Sequence, residues 1–232
     1  MKQKQFKVKL AKSIVTLFVF LAAMTVNAQE VSIGTDVVSN YIWRGTNLGG
    51  VSIQPSISLA QSGFSLTAWG SVGLESTDTK EFDLTLGYGI GGFSAALTDY
   101  WFNNDDQDVY FKYNEGTVHL YELTLGYDFG PLSVSWNTNL GGDDYVKENG
   151  KKAYSSYAEV AVPFKLGGYD FAAEAGLTPW EGVYSNKFNI TNIGLKATKN
   201  IVVTESFTIP AFAKITVNPY EDKAYFVFGI TF

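Results

Sequence analysis

Glu81-Phe82-Asp83-Leu84-Thr85-Leu86-Gly87-Tyr88-Gly89-Ile90 decides the fold by its alternation. Phe82, Leu84, Leu86, Tyr88 and Ile90 fall on one face, while Glu81, Asp83, Thr85, Gly87 and Gly89 fall on the other, which is the period of two of a strand. The arrangement returns 39 positions later, where Leu123-Thr124-Leu125-Gly126-Tyr127 repeats Leu84-Thr85-Leu86-Gly87-Tyr88. Around it Tyr121 and Phe129 extend the apolar face, and Glu122 and Asp128 the polar one. Such a spacing is a hairpin-scale repeat within one sheet.

Worked outward, the same period predicts twelve strands, at 30–43, 49–60, 63–75, 81–90, 92–102, 117–129, 131–140, 153–164, 168–178, 188–199, 206–217 and 222–232. A tilted strand needs about 9–11 residues to cross a bilayer, and these segments have that reach. The connections alternate in kind. Gln61-Ser62-Gly63, Gly91-Gly92, Gly130-Pro131 and Leu166-Gly167-Gly168 are tight, whereas 103–116 and 141–152 are long and polar. An all-β, antiparallel, up-and-down transmembrane barrel of about 12 strands has this pattern, with short periplasmic turns and longer extracellular loops. An even strand count returns both termini to the periplasmic side. Phe64, Tyr88, Phe93, Tyr127, Phe129, Phe164 and Phe171 near the short turns, and Tyr41, Trp43, Trp101 and Phe188 toward the loops, read as two aromatic girdles. A soluble sandwich would instead carry polar residues on its outward faces.

The N-terminus carries Lys2, Lys4, Lys7, Lys9 and Lys12 without an acid, then an apolar stretch from Ile14 to Ala23, then Val26-Asn27-Ala28. This predicts a cleaved secretory signal peptide over 1–28, leaving the barrel as residues 29–232. Its five lysines are part of 17 basic residues, so the mature chain has 12 against 23 acids and a formal charge of −11. Nucleic acid is excluded as a partner on that balance. No later apolar run approaches the ~20 residues of a spanning helix, and the chain contains no cysteine.

Phe226, Phe228, Ile230 and Phe232 share one face of the last strand, which resembles the C-terminal signature that outer-membrane barrels present to their assembly machinery. Ser39-Asn40-Tyr41-Ile42-Trp43-Arg44-Gly45, then Gln54-Pro55-Ser56-Ile57, then Ser62-Gly63-Phe64-Ser65-Leu66 with Trp69-Gly70-Ser71, resemble the opening strands of the TorF-type porins over residues 31–75. The resemblance implies a small porin-like barrel of the outer membrane in contact with its lipids and lipopolysaccharide. It implies little about the solute.

Parity places Asp36, Arg44, Glu75, Glu81, Asp83, Glu122, Asp128, Glu159, Asp170, Glu174, Lys196 and Lys214 inside, nine of the twelve acidic. An open lumen so lined favours cations. The competing expectation is a plugged core, with Arg44, Lys196 and Lys214 paired to carboxylates and Trp69 and Tyr225 filling space; twelve strands lie between filled and open barrels. Arg44 is expected inward near the outer end of strand one. There it would pair with a carboxylate and set the constriction, or merely anchor the first loop.

Catalysis has one candidate, His119, which parity puts on the lipid-facing side near the outer rim. A serine nucleophile needs a base beside it, and two positions on stands Tyr121 rather than serine, so an interfacial histidine is the expectation. Asn104, Asp106, Asp108 and Glu115 have calcium-loop spacing, but Val109 stands where that loop needs glycine, so no metal site and no cofactor is expected. Three functions follow in order: a passive channel for small solutes, a closed adhesive or structural barrel acting through its loops, and a lipid-modifying enzyme.

Overall fold

The computed structural model describes residues 30–103, 109–114 and 116–232. The predicted signal peptide and the proposed ligands Asn104, Asp106, Asp108 and Glu115 of the rejected calcium loop lie outside the described residues. Fourteen strands are present: β1 (Glu30–Val38), β2 (Tyr41–Trp43), β3 (Thr46–Gly49), β4 (Ser52–Gln61), β5 (Phe64–Gly73), β6 (Lys80–Ile90), β7 (Phe93–Phe102), β8 (His119–Asp128), β9 (Ser133–Gly142), β10 (Ser156–Leu166), β11 (Tyr169–Thr178), β12 (Asn189–Thr204), β13 (Phe207–Asn218) and β14 (Lys223–Thr231). Twelve of them form one closed antiparallel barrel, and β2 and β3 make a separate two-stranded hairpin.

Alternation puts opposite chemistries on the two faces of the wall. Ile33 is 77% exposed and Phe226 61%, whereas Glu122 is 1% exposed and Asn139 0%. This inverts a water-soluble protein, whose apolar side chains are the ones withdrawn from solvent.

Three turns at one end are two-residue connections set by register, with Gln61 opposite Phe64, Ile90 opposite Phe93 and Leu166 opposite Tyr169. Ser62 and Gly63 have φ of 51° and 85°, the left-handed pair that keeps a hairpin's twist continuous. The other end carries the longer connections; the two are called the turn end and the loop end below. The ring closes where Asp36 to Val38 meet Thr231 to Gly229, and Thr35 and Phe232 exchange backbone hydrogen bonds.

Two departures from the expected strands stand out. The first segment ends at Val38 rather than at 43, because Arg44 and Gly45 turn the chain back with φ of 52° and 81° and Tyr41–Gly49 becomes the β2–β3 hairpin. Strand β12 is also longer than expected, running to Thr204 and pairing with β13 as far as Phe207. Its partner on the other side, β11, starts only at Tyr169, so the β12–β13 ribbon projects past its neighbours with Ile201, Val202, Val203 and Phe207 exposed.

Candidate functional site

The hairpin folds inward at the loop end. It makes its contacts with inward-facing residues of several strands. The Tyr41 hydroxyl donates to Glu81 on β6 at 2.9 Å, and its ring lies 5.7 Å from Trp69 on β5. Across the lumen, Asn218 at the end of β13 donates to the Gly45 carbonyl at 3.2 Å. A Cβ on Gly45 would collide with the Thr191 carbonyl, so the approach of hairpin to wall needs glycine there.

Arg44 is the fastening. Its guanidinium donates to both oxygens of Glu122, at 2.5 and 2.8 Å, and to the Tyr184 hydroxyl of the β11–β12 connection. It also packs on the rings of Trp43 and Tyr157, 4.3 and 4.9 Å from their centroids. The planar fork suits this role, since it satisfies a carboxylate bidentately while its face rests on aromatics. Tyr100 adds a further bond to Glu122 at 3.0 Å. Burial pushes the Tyr184 phenol up to about 12 even with Arg44 beside it. Burial, with Glu81 adjacent, lifts the Tyr41 phenol far above its ordinary value. Both hydroxyls therefore stay neutral, Tyr41 donating to Glu81 and Tyr184 accepting from Arg44.

The structure brings most of the expected lumen residues onto the inner wall. Lys214 pairs with Glu174 at 2.5 Å, Asn192 bridges Glu174 and Glu159, and Tyr157 donates to Glu159. Asp36 accepts from Thr231, and the Lys196 ammonium sits 4.1 Å from the Phe212 ring centroid. Glu81 and Asp83 lie on the inner face of β6 and are both buried.

Several expectations are corrected. Arg44 is inside, but on the hairpin turn and not on strand one, because the left-handed pair at 44–45 turns the chain. Glu75 is exposed in the β5–β6 connection, beyond the end of β5 at Gly73, where its amide bonds Asp78. Asp128 and Asp170 are exposed at the turn end, one bonding the Gly130 amide and the other pairing with Lys165. Tyr41 and Trp43 are not girdle residues; they line the lumen on the hairpin. Missed by parity are Tyr184, which lies in the irregular β11–β12 connection, and Asn218, which ends β13 one residue past the predicted strand.

His119 is on the outer face at the loop end, opposite Trp101 in register, but it is fully covered rather than interfacial. The segment Tyr110–Tyr113 lies over it, with the Tyr113 ring stacked at 4.2 Å. Nδ1 bonds Asp99 at 2.7 Å and Nε2 bonds the Tyr110 carbonyl at 2.5 Å. Both ring nitrogens are thus committed to acceptors, and a carbonyl stands where a nucleophile's hydroxyl would have to be.

No curated protein matches the chain in sequence. Among solved structures it is similar to that of the NanC porin at 8% identity and a TM-score of 0.46, over 86% of this chain and 98% of the porin's. The model of a family described as a bacterial protein of unknown function (Gcw_chp) matches residues 22–219, and the chain belongs to that family.

Proposed function

We propose that the chain is an outer-membrane barrel through which small solutes pass, with a mild preference for cations, and that the β2–β3 hairpin sets its narrowest point. The observation that carries this reading is the hairpin itself, folded into a polar, strand-walled lumen and fastened by side chains rather than by strand pairing. The apolar outer wall needs hydrocarbon around it, which supports membrane residence. The signal-peptide reading and the resemblance of residues 31–75 to the TorF-type porins point to the outer membrane. There the wall would meet lipid and lipopolysaccharide, and the strand ending at Phe232 would engage the assembly machinery. Cation preference follows from the inward acids Asp36, Glu81, Asp83, Glu122, Glu159 and Glu174, which outnumber Arg44, Lys196 and Lys214. The covered Asp99–His119 pair reads as structural, not catalytic.

A closed barrel acting through its loops is the second reading, favoured by the aromatic filling around Arg44, where Trp43 lies 5.6 Å from Tyr100 and 6.0 Å from Tyr184. Single-channel recording of the purified, refolded mature chain in a planar bilayer separates the two. Steady cation-preferring conductance supports passage; silence from a folded barrel supports the closed form.

A further inference from the structure

The hairpin roofs a pair of acids that, among the described residues, no basic side chain neutralises. Glu81 and Asp83 are two apart on β6, so both point inward, and their carboxyl groups lie within hydrogen-bonding reach of each other. They are only 5% and 7% exposed. Among the described residues no salt bridge joins either to a lysine or arginine, and the lumen cations are committed elsewhere: Arg44 to Glu122, Lys214 to Glu174, and Lys196 on the face of Phe212. Asp83 Oδ1 is buried without any hydrogen-bond partner.

Two carboxylates in contact cannot both keep their charge in so enclosed a place without a counter-charge, which must be a proton or a cation. Across the strands stand Trp69 and Tyr100 beside Asp83, and Ser71 and Phe102 beside Glu81, so the polar atoms on offer besides the two carboxylates are oxygens. The Tyr41 hydroxyl touches Glu81, Ser71 stands directly opposite Glu81 in register, and Gln54 donates to the Ser71 hydroxyl at 3.2 Å. Oxygen-only donor sets select hard cations, and two negative charges are balanced by one divalent ion.

We propose that Glu81 and Asp83 hold a divalent cation of the calcium or magnesium class beneath the hairpin. The assignment rests on the reading of the barrel as a conduit and names the ion that occupies its narrowest part. Occupancy would also tie the hairpin to β6, since Tyr41 and the ion share Glu81.

Terbium tests this directly, because it replaces calcium and luminesces when an excited aromatic ring is close. Trp69 stands opposite Asp83 in register and Tyr41 bonds Glu81, so both rings are placed to sensitise it. The folded mature barrel in detergent at neutral pH should give saturable terbium luminescence that excess calcium displaces. E81Q/D83N, isosteric and checked for heat-modifiable migration as a sign of folding, should lose that luminescence at least tenfold; D83N alone gives the same readout should the double variant fail to fold. Absence of luminescence in the native barrel means that a shared proton neutralises the pair, and overturns the site, as does luminescence unchanged in the variants. Bilayer recording keeps the two claims apart. Conductance without terbium binding leaves passage standing and removes the site, whereas terbium binding in a silent barrel keeps the site and removes passage.

Discussion

Replacing Arg44 by alanine removes the fastening of the hairpin and little else. The left-handed backbone at Arg44 is equally unfavourable for either residue, so strain does not enter the comparison. The pair with Glu122 is enclosed, with side chains 10% and 1% exposed, and breaking such a pair from one side costs about 3–5 kcal/mol. Glu122 keeps its bonds from Tyr100 and Thr124, which places the loss near the lower figure. What remains to hold the hairpin includes the Tyr41–Glu81, Asn218–Gly45 and Thr79–Leu48 bonds, each contributing about 1 kcal/mol net, and the rings of Tyr41 on Trp69 and Trp43 on Tyr100. A loss of ~3 kcal/mol moves the docked-to-undocked ratio about a hundredfold. In bilayer recordings R44A should therefore show larger or more persistently open conductance and a reversal potential shifted further toward cations. Adding E122Q should recover thermal stability, by removing the stranded charge, without restoring the closed hairpin. Conductance and selectivity identical to the native barrel in a folded R44A would refute the claim that this hairpin governs passage.

Other predictions touch different parts of the molecule. G45A changes no charge but drives a methyl group against the Thr191 carbonyl, so it should open the lumen as R44A does while leaving cation preference where it was. H119Q should lower the thermal transition, because Asp99 on the outer face loses the shorter of its bonds, keeping that from Tyr113, and the stack on the Tyr113 ring goes; conductance should not change, and a lipid-modifying activity that disappeared in this variant would contradict the structural role. Deleting Phe232 removes the backbone exchange with Thr35 at the seam, and pulse-chase assembly assays should show a slower appearance of the folded form in the membrane.

Most of the wall was legible because alternation is a local property. Leu84-Thr85-Leu86-Gly87-Tyr88 states both its strand and its two faces, and the glycine-rich turns state where the chain reverses. Parity puts Glu81, Asp83 and Glu122 on one face of their strands, and the structure buries all three. Parity gives the side but not the depth, and Glu75, Asp128 and Asp170, inward by parity, are exposed beyond the ends of the lumen. The hairpin escaped because Tyr41-Ile42-Trp43 continues the β-prone character of β1, and nothing but the Arg44-Gly45 pair marks the reversal. The covering of His119 depends on where a long connection comes to rest, and no short-range pattern encodes that.

The fastening at Arg44 also orders events in time. Its partners Glu122 and Tyr184 lie 78 and 140 residues further along the chain, and the backbone at Gly45 waits for Asn218, 173 residues away. Contacts at such separations are closed late, after the loops between them have been ordered. The hairpin is made early and docked late, once β8, the β11–β12 connection and β13 have come into place, and only the seam between Asp36 and Thr231, 195 residues apart, spans a longer separation.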